Sequence, residues 1–138
     1  MNGISITKRI LSYIEKNLDR HLTLEEIAKE LNYSKFYIAR IFKDYTGITL
    51  HKYIQNRRLN EAARKLVETK QPIIEIAFEA GYSSQQAFTQ AFSYEYECTP
   101  QKYRRIGVFI PKQSRINMSI NEKYRVLLFK FMSGRNVA

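Results

Sequence analysis

An internal repeat is the feature of this chain that most constrains its fold. The segment EIAKELNYSKFYIARIF, residues 26–42, returns as EIAFEAGYSSQQAFTQAF, residues 75–92, with one extra residue in its turn. The copies agree at core, turn and cap positions: Ile27 with Ile76, Asn32 with Gly81, Tyr33 with Tyr82, Ser34 with Ser84, and Phe42 with Phe92. Asn and Gly both tolerate positive φ, and Ser is a preferred helix N-cap. Each copy therefore predicts two short helices joined by a tight turn, the helix-turn-helix motif.

A long amphipathic stretch separates the two copies. Residues 49–68, TLHKYIQNRRLNEAARKLVE, place apolar side chains on one helical face, and Gly47 and Pro72 mark the boundaries of the stretch. A helix of this size measures roughly 30 Å, close to the ~34 Å rise of one turn of B-DNA. We therefore interpret it as a rigid helix that links the two helix-turn-helix units.

The remaining helix signals predict an all-α chain of about seven helices. A first amphipathic helix is expected over residues 4–18, Thr23 caps the next, and Thr99 followed by Pro100 begins a last short one. The predicted parts are a first subdomain (4–48), a linking helix (49–70), a second subdomain (71–105) and a C-terminal extension (106–138) of uncertain structure. The extension is too apolar for a plain disordered tail and too short for its own core, so an extra strand, an extra helix and the remnant of a partner domain all stay open.

Composition favours a nucleic-acid partner and argues against an enzyme. The formal net charge is +10, which suits a polyanionic partner. Cys98 is the only cysteine, while His21 and His51 stand apart, so we predict no catalytic site, no metal and no cofactor. No apolar run is long enough to span a bilayer and no signal peptide is evident, so we expect a soluble cytoplasmic protein associated with the bacterial nucleoid.

The second helix of each repeat carries the candidate base-reading side chains. Inward positions such as Ile38 and Phe88 leave an outward set on each helix: Phe36, Ala39 and Arg40 in the first copy, and Gln85, Gln86, Thr89 and Gln90 in the second. Arg pairs with guanine O6 and N7, Gln pairs with adenine N6 and N7, and Ala or Thr contacts the thymine methyl group. Phe36 has two open interpretations, a groove contact or a packing residue on a helix rotated from this estimate.

Contacts to the DNA backbone are predicted from the amides at the starts of the same helices and from cationic side chains on the first of them and on the last short helix. The candidates are Ser34, Lys35, Lys43, Ser84, Lys102 and Arg104. Helix amides and cationic side chains are the usual phosphate ligands. Arg57 and Arg58 on the long helix are further candidates, although pairing with acidic neighbours is the favoured interpretation for both.

The chain resembles the AraC/XylS-type transcriptional regulators over about residues 6–105. The second copy and the ending TPQKYRR are very similar to that family's signature, and the likeness is strongest to its stand-alone MarA, SoxS and Rob group. The resemblance implies a monomer that reads one asymmetric promoter site with two helices in successive major grooves. It also implies an activator that contacts RNA polymerase. Stand-alone members commonly carry Gln at the position of Ala39 and Arg at that of Gln90, so their target sequence does not carry over.

Two other functions compete with sequence-specific regulation. A DNA-repair enzyme of the alkyl-transfer kind would need a reactive or zinc-binding cysteine set, which Cys98 alone does not provide. A non-specific architectural DNA-binding protein is the main alternative. Such a protein would discriminate little between sequences, so loss of Arg40 would weaken its binding to all DNA equally. For a sequence-specific regulator, loss of Arg40 should weaken binding to the preferred site far more than binding to random DNA.

Overall fold

The computed structural model describes residues 2–118, which contain seven α-helices and no strand. The helices are α1 (Gly3–Lys16), α2 (Leu24–Leu31), α3 (Lys35–Thr46), α4 (Leu50–Glu68), α5 (Ile73–Glu79), α6 (Gln85–Tyr96) and α7 (Pro100–Ile106). The predicted all-α class is confirmed. None of the helices in residues 2–118 is long and apolar enough to cross a membrane.

Caps and turns set the helix boundaries. The Thr23 side chain accepts a hydrogen bond from the Glu26 amide at the start of α2, and Thr99 does the same for Lys102 at the start of α7, as predicted. The first helix is shorter than expected: α1 ends at Lys16 with Asn17 as its C-cap, and Leu18 lies outside it. Pro72 precedes α5 as its N-cap, because its fixed φ suits the entry to a helix.

The described residues divide into two compact units. One contains residues 2–17, 22–54 and 115–118, and the other contains Leu18–His21 and Gln55–Ser114. The long helix α4 is unbroken and contributes residues to both. The division into 4–48, 49–70, 71–105 and 106–138 stays a prediction.

The first unit is organised around fully buried aliphatic and aromatic side chains from α1, α2, α3 and the start of α4. Its core includes Ile6, Ile10, Ile14, Ile27, Ile38, Phe42 and Tyr53, each 0–1% exposed. The rings of Phe42 and Tyr53 lie 5.4 Å apart, so the inner face of α3 is fixed against α4. This packing determines which face of α3 remains outside.

The second unit has an aromatic core. Phe88 and Phe92 of α6 are 0% exposed, and the Phe92 ring stacks on Tyr96 at 4.4 Å and meets Tyr103 edge-on at 5.3 Å. Burial raises the pKa of the Tyr96 hydroxyl. Such ring pairs prefer defined geometries, so they fix the rotation of α6 about its axis.

The C-terminal extension, predicted over residues 106–138, begins with the last residue of α7, Ile106, and is neither helix nor strand from residue 107 to residue 118. In the second unit, the Asn60 side-chain oxygen accepts hydrogen bonds from the amides of Lys112 (2.9 Å) and Gln113 (3.1 Å). In the first unit, the Ile116 amide donates to the Tyr53 hydroxyl at 3.1 Å. Residues 108–118, called the C-terminal arm below, are thus ordered by side chains of α4. The apolar stretch VLLFKFM and the rest of residues 119–138 lie outside the described part of the chain.

Candidate nucleic-acid interface

The first candidate reading helix, α3, is held by a tight turn and a serine cap. Asn32 adopts the left-handed conformation at φ 66°, and the Ser34 hydroxyl accepts a hydrogen bond from the Tyr37 amide at 3.1 Å. Ile38 and Phe42 are 0% exposed and face the core. The opposite face of α3 is therefore available to a partner.

That face carries the side chains predicted from the sequence. Phe36 is 77% exposed, which excludes the interpretation of this residue as a core contact. Arg40 is exposed, with its guanidinium carbon 5.6 Å from the centre of the Tyr37 ring, and Ala39 is half-buried. A cation, an aromatic ring and a small methyl group thus share one accessible helical face, a combination suited to the edges of bases in a major groove.

The second candidate reading helix, α6, repeats this construction. Gly81 has φ 90° in the turn, and the Ser84 hydroxyl accepts from the Ala87 amide at 3.1 Å. The predicted outward residues fall as expected, since Gln85, Gln86 and Gln90 are exposed and Thr89 is half-buried. The side-chain amides of the three glutamines can donate and accept hydrogen bonds at the same time, which suits adenine N6 and N7.

The predicted backbone contacts have different surroundings. The hydroxyls of Ser34 and Ser84 serve as caps, which leaves the first two amides of α3 and α6 without an intrahelical partner. Lys35 is exposed and forms a 3.4 Å ion pair with Glu25. The Glu25 pKa is lowered by its own backbone hydrogen bond and then by Lys35. Such an exposed pair is worth little and can be exchanged for a phosphate.

Lys43 and Lys102 are also exposed, whereas Arg104 is tied to its own unit. The Lys43 amine donates to the Gly47 carbonyl oxygen at 3.1 Å. Arg104 is half-buried, and its Nε and Nη2 donate to the carbonyl oxygens of Leu66 (2.9 Å) and Gln71 (2.7 Å). Arg104 therefore has a structural role at the end of α4.

The adjacent arginines of α4, Arg57 and Arg58, are buried and half-buried, and both bind groups within the protein. Arg57 is 4% exposed, donates to the Gln113 carbonyl oxygen at 2.7 Å and pairs with Glu61, as the favoured interpretation predicted. For Arg58 the favoured interpretation is wrong, because its guanidinium binds backbone carbonyl oxygens instead of acidic side chains. Its Nε donates to the Leu18 carbonyl oxygen at 3.0 Å, and its Nη2 donates to the Arg20 carbonyl oxygen. Burial lowers the pKa of Arg58.

Asn60 is the residue with a defined role that the sequence analysis missed. It is 3% exposed and orders the C-terminal arm through its side-chain oxygen. A sequence signal existed, because this polar residue interrupts the apolar stripe of Leu59, Ala62 and Ala63. A buried amide at such a position requires a hydrogen-bonding partner.

In the part of the chain that the structure describes, no cluster of three or more His, Cys, Asp or Glu side chains has the arrangement of a metal site. Two capped helices with exposed polar faces, built on one repeated motif, define the class of protein as one with tandem helix-turn-helix units.

Comparison with known proteins agrees with that class. A helix-turn-helix domain family matches residues 27–106. The chain is 46% identical over 101 residues to the Transposon Tn10 TetD protein of Escherichia coli, covering 73% of each chain. It is 39% identical over 104 residues to the regulatory protein SoxS of Salmonella typhimurium, covering 75% of this chain and 97% of SoxS. By contrast, it spans 36% of the transcriptional regulator Rob of the same organism.

A solved structure shows the same architecture. The C-terminal domain of AraT, a response regulator from Geobacillus stearothermophilus, matches with a TM-score of 0.70 and 34% identity, covering 83% of this chain and 94% of that domain. The chain belongs to the AraC-type helix-turn-helix family of transcriptional regulators, and it carries that family's DNA-binding domain. Two of these relatives, SoxS and Rob, are regulators.

Proposed function

We propose that this protein is a sequence-specific transcriptional activator that binds an asymmetric promoter site as a monomer, with α3 and α6 in successive major grooves. The observation that carries the proposal is the repeat itself. Two helices of twelve residues, each capped by a serine and each held by two buried side chains, expose different polar residues at equivalent positions. Different side chains on equivalent helices favour an asymmetric site.

The proposed base-reading residues are Phe36, Ala39 and Arg40 on α3, and Gln85, Gln86, Thr89 and Gln90 on α6. The proposed backbone contacts are the helix starts at Ser34 and Ser84, together with Lys35, Lys43 and Lys102. Arg104 contributes by holding α7 to the end of α4, because its guanidinium is engaged there. RNA polymerase is the proposed protein partner, and a DNA-bound activator of this kind would be associated with the nucleoid in the cytoplasm.

Substitution of Arg40 tests base reading directly. Arg40 is exposed and makes no ion pair with an acidic residue among the described contacts, so Arg40→Ala removes the guanidinium without unpairing a buried group. The expected loss is about 1–3 kcal/mol on the preferred duplex and far less on a random duplex. Competition binding with the two duplexes, at one fixed salt concentration, measures both losses.

Lys16→Ala is the matched control, because Lys16 is an exposed cation at the end of α1 and lies outside both reading helices. It is expected to leave the ratio of the two affinities unchanged. Equal losses on both duplexes for Arg40→Ala would favour an architectural DNA-binding protein over a sequence-specific one. Run-off transcription with purified RNA polymerase then separates an activator, which raises transcript yield, from a repressor, which lowers it.

A further inference from the structure

The two reading helices are equivalent in construction, but their outward faces differ in charge. Serine caps, helix lengths and the buried pairs at Ile38/Phe88 and Phe42/Phe92 correspond. The outward side chains differ at each pair of equivalent positions. These pairs are Lys35/Gln85, Phe36/Gln86, Ala39/Thr89 and Arg40/Gln90. At each pair where α3 presents a cation, α6 presents a neutral amide.

No residue of α6 compensates for this difference. Its sequence, QQAFTQAFSYEY, contains no Lys or Arg and does contain Glu95. Lys70 and Arg105 of the second unit are exposed but lie outside α6. Other cations of that unit are engaged in internal contacts, as Lys35 and Lys43 of α3 also are: Arg57, Arg58, Arg64, Lys65, Arg104 and Lys112. The exposed lysines Lys52 and Lys102 stand at equivalent positions in the two repeats, so they do not offset the contrast.

We propose that the two helices divide the recognition of DNA between them. On this proposal α3 supplies most of the electrostatic affinity and reads a block that contains a G·C pair. In contrast, α6 reads a block of A·T pairs through Gln85, Gln86 and Gln90 and adds discrimination with little dependence on salt. The inference rests on the proposed function, because it assigns chemistry to the same two helices.

The physical basis is the release of counterions. A cation that neutralises a phosphate displaces a condensed counterion, so each such contact steepens the plot of log affinity against log salt by about 0.9. A glutamine amide carries no charge and displaces none. It pairs with adenine N6 and N7, whereas the Arg40 guanidinium pairs with guanine O6 and N7. The division of labour therefore predicts a different salt response for each helix.

Reciprocal substitutions at equivalent positions provide the test. The pair Lys35→Gln and Gln85→Lys moves one charge between matched, exposed sites at the start of each helix. The pair Arg40→Gln and Gln90→Arg exchanges the base-reading groups. Each variant, together with the wild-type chain and a variant with Gln85, Gln86 and Gln90 all changed to Ala, is titrated on the selected wild-type duplex from about 50 to 200 mM salt.

The expected results differ by helix. Lys35→Gln reduces the salt slope by about 0.9 and Gln85→Lys steepens it by about the same amount. The triple alanine variant loses roughly 5- to 150-fold in affinity for the preferred duplex for each glutamine that pairs with an adenine, while its slope stays that of the wild type. Selection with Gln90→Arg changes an A·T pair to G·C in one block only, and selection with Arg40→Gln does the reverse in the other.

Two results would overturn the division of labour while leaving sequence-specific binding intact. One is a triple alanine variant whose salt slope falls as far as that of Lys35→Gln, and the other is a wild-type motif whose α6 block consists of G·C pairs. Failure of the wild-type chain to enrich any sequence would instead overturn the proposed function, and this inference with it. Circular dichroism melts that match the wild type identify variants that are properly folded, since every substituted side chain is exposed.

Discussion

Loss of the Asn60 side chain should destabilise the second unit through the C-terminal arm. The Asn60 oxygen is buried and accepts from two consecutive amides, at 2.9 Å from Lys112 and 3.1 Å from Gln113. In Asn60→Ala neither amide has this acceptor, and each hydrogen bond of this kind contributes about 0.5–1.5 kcal/mol. We therefore expect a loss of roughly 1–3 kcal/mol in the free energy of unfolding.

The assay is urea denaturation followed by circular dichroism at 222 nm, in a double-mutant cycle with a chain truncated after Gly107. Truncation removes the arm, so Asn60→Ala in the truncated chain is expected to cost less than about 0.5 kcal/mol, because the better helix propensity of Ala offsets the remaining contacts. Equal losses in the full-length and truncated chains would refute the assignment of Asn60 as the residue that orders the arm.

Two further predictions concern the second unit. Gly81→Ala should lower the free energy of unfolding by roughly 1–2 kcal/mol, since Gly81 has φ 90° and a Cβ there would lie 2.9 Å from Nη1 of Arg58. A melting temperature equal to that of the wild type would contradict this prediction. Hydrogen bonding from Lys65, at 2.7 Å, lowers the pKa of Glu79 below its ordinary value of 4.5, so this pair stabilises the protein above that pH and the contribution is lost as pH falls through the lowered pKa. Stability measured from pH 6 to pH 3 should therefore fall less in Lys65→Met than in the wild type, and identical profiles would show that the pair contributes nothing.

Local signals in the sequence were sufficient for the helices and for the faces of the reading helices. Asn32 and Gly81 at the turns, and Ser34 and Ser84 at the caps, act through backbone geometry within a few residues, so a pattern of residue types is enough to locate them. The repeat also aligned the two copies residue by residue, so that a buried position identified in one copy indicated the equivalent buried position in the other.

Contacts between residues far apart in the sequence were not predictable. Asn60 and Lys112 are separated by 52 positions, and neither has a periodic pattern that indicates the other. Likewise, Arg104 was predicted at a phosphate as a cationic side chain, and no local pattern indicated that its guanidinium binds carbonyl oxygens 33 and 38 positions away. Whether Phe36 is exposed or packed in the core depended on the rotation of α3 about its axis. The packing of Phe42 on Tyr53 determines that rotation.

Selection of bound sequences from a random duplex pool, at near-physiological salt and with the wild-type chain, tests sequence-specific reading by both helices most directly. We predict an asymmetric motif of two blocks about one helical turn apart, or roughly 10 base pairs from centre to centre. Enrichment of a single block, or of none, would contradict reading by both helices and would favour an architectural DNA-binding protein.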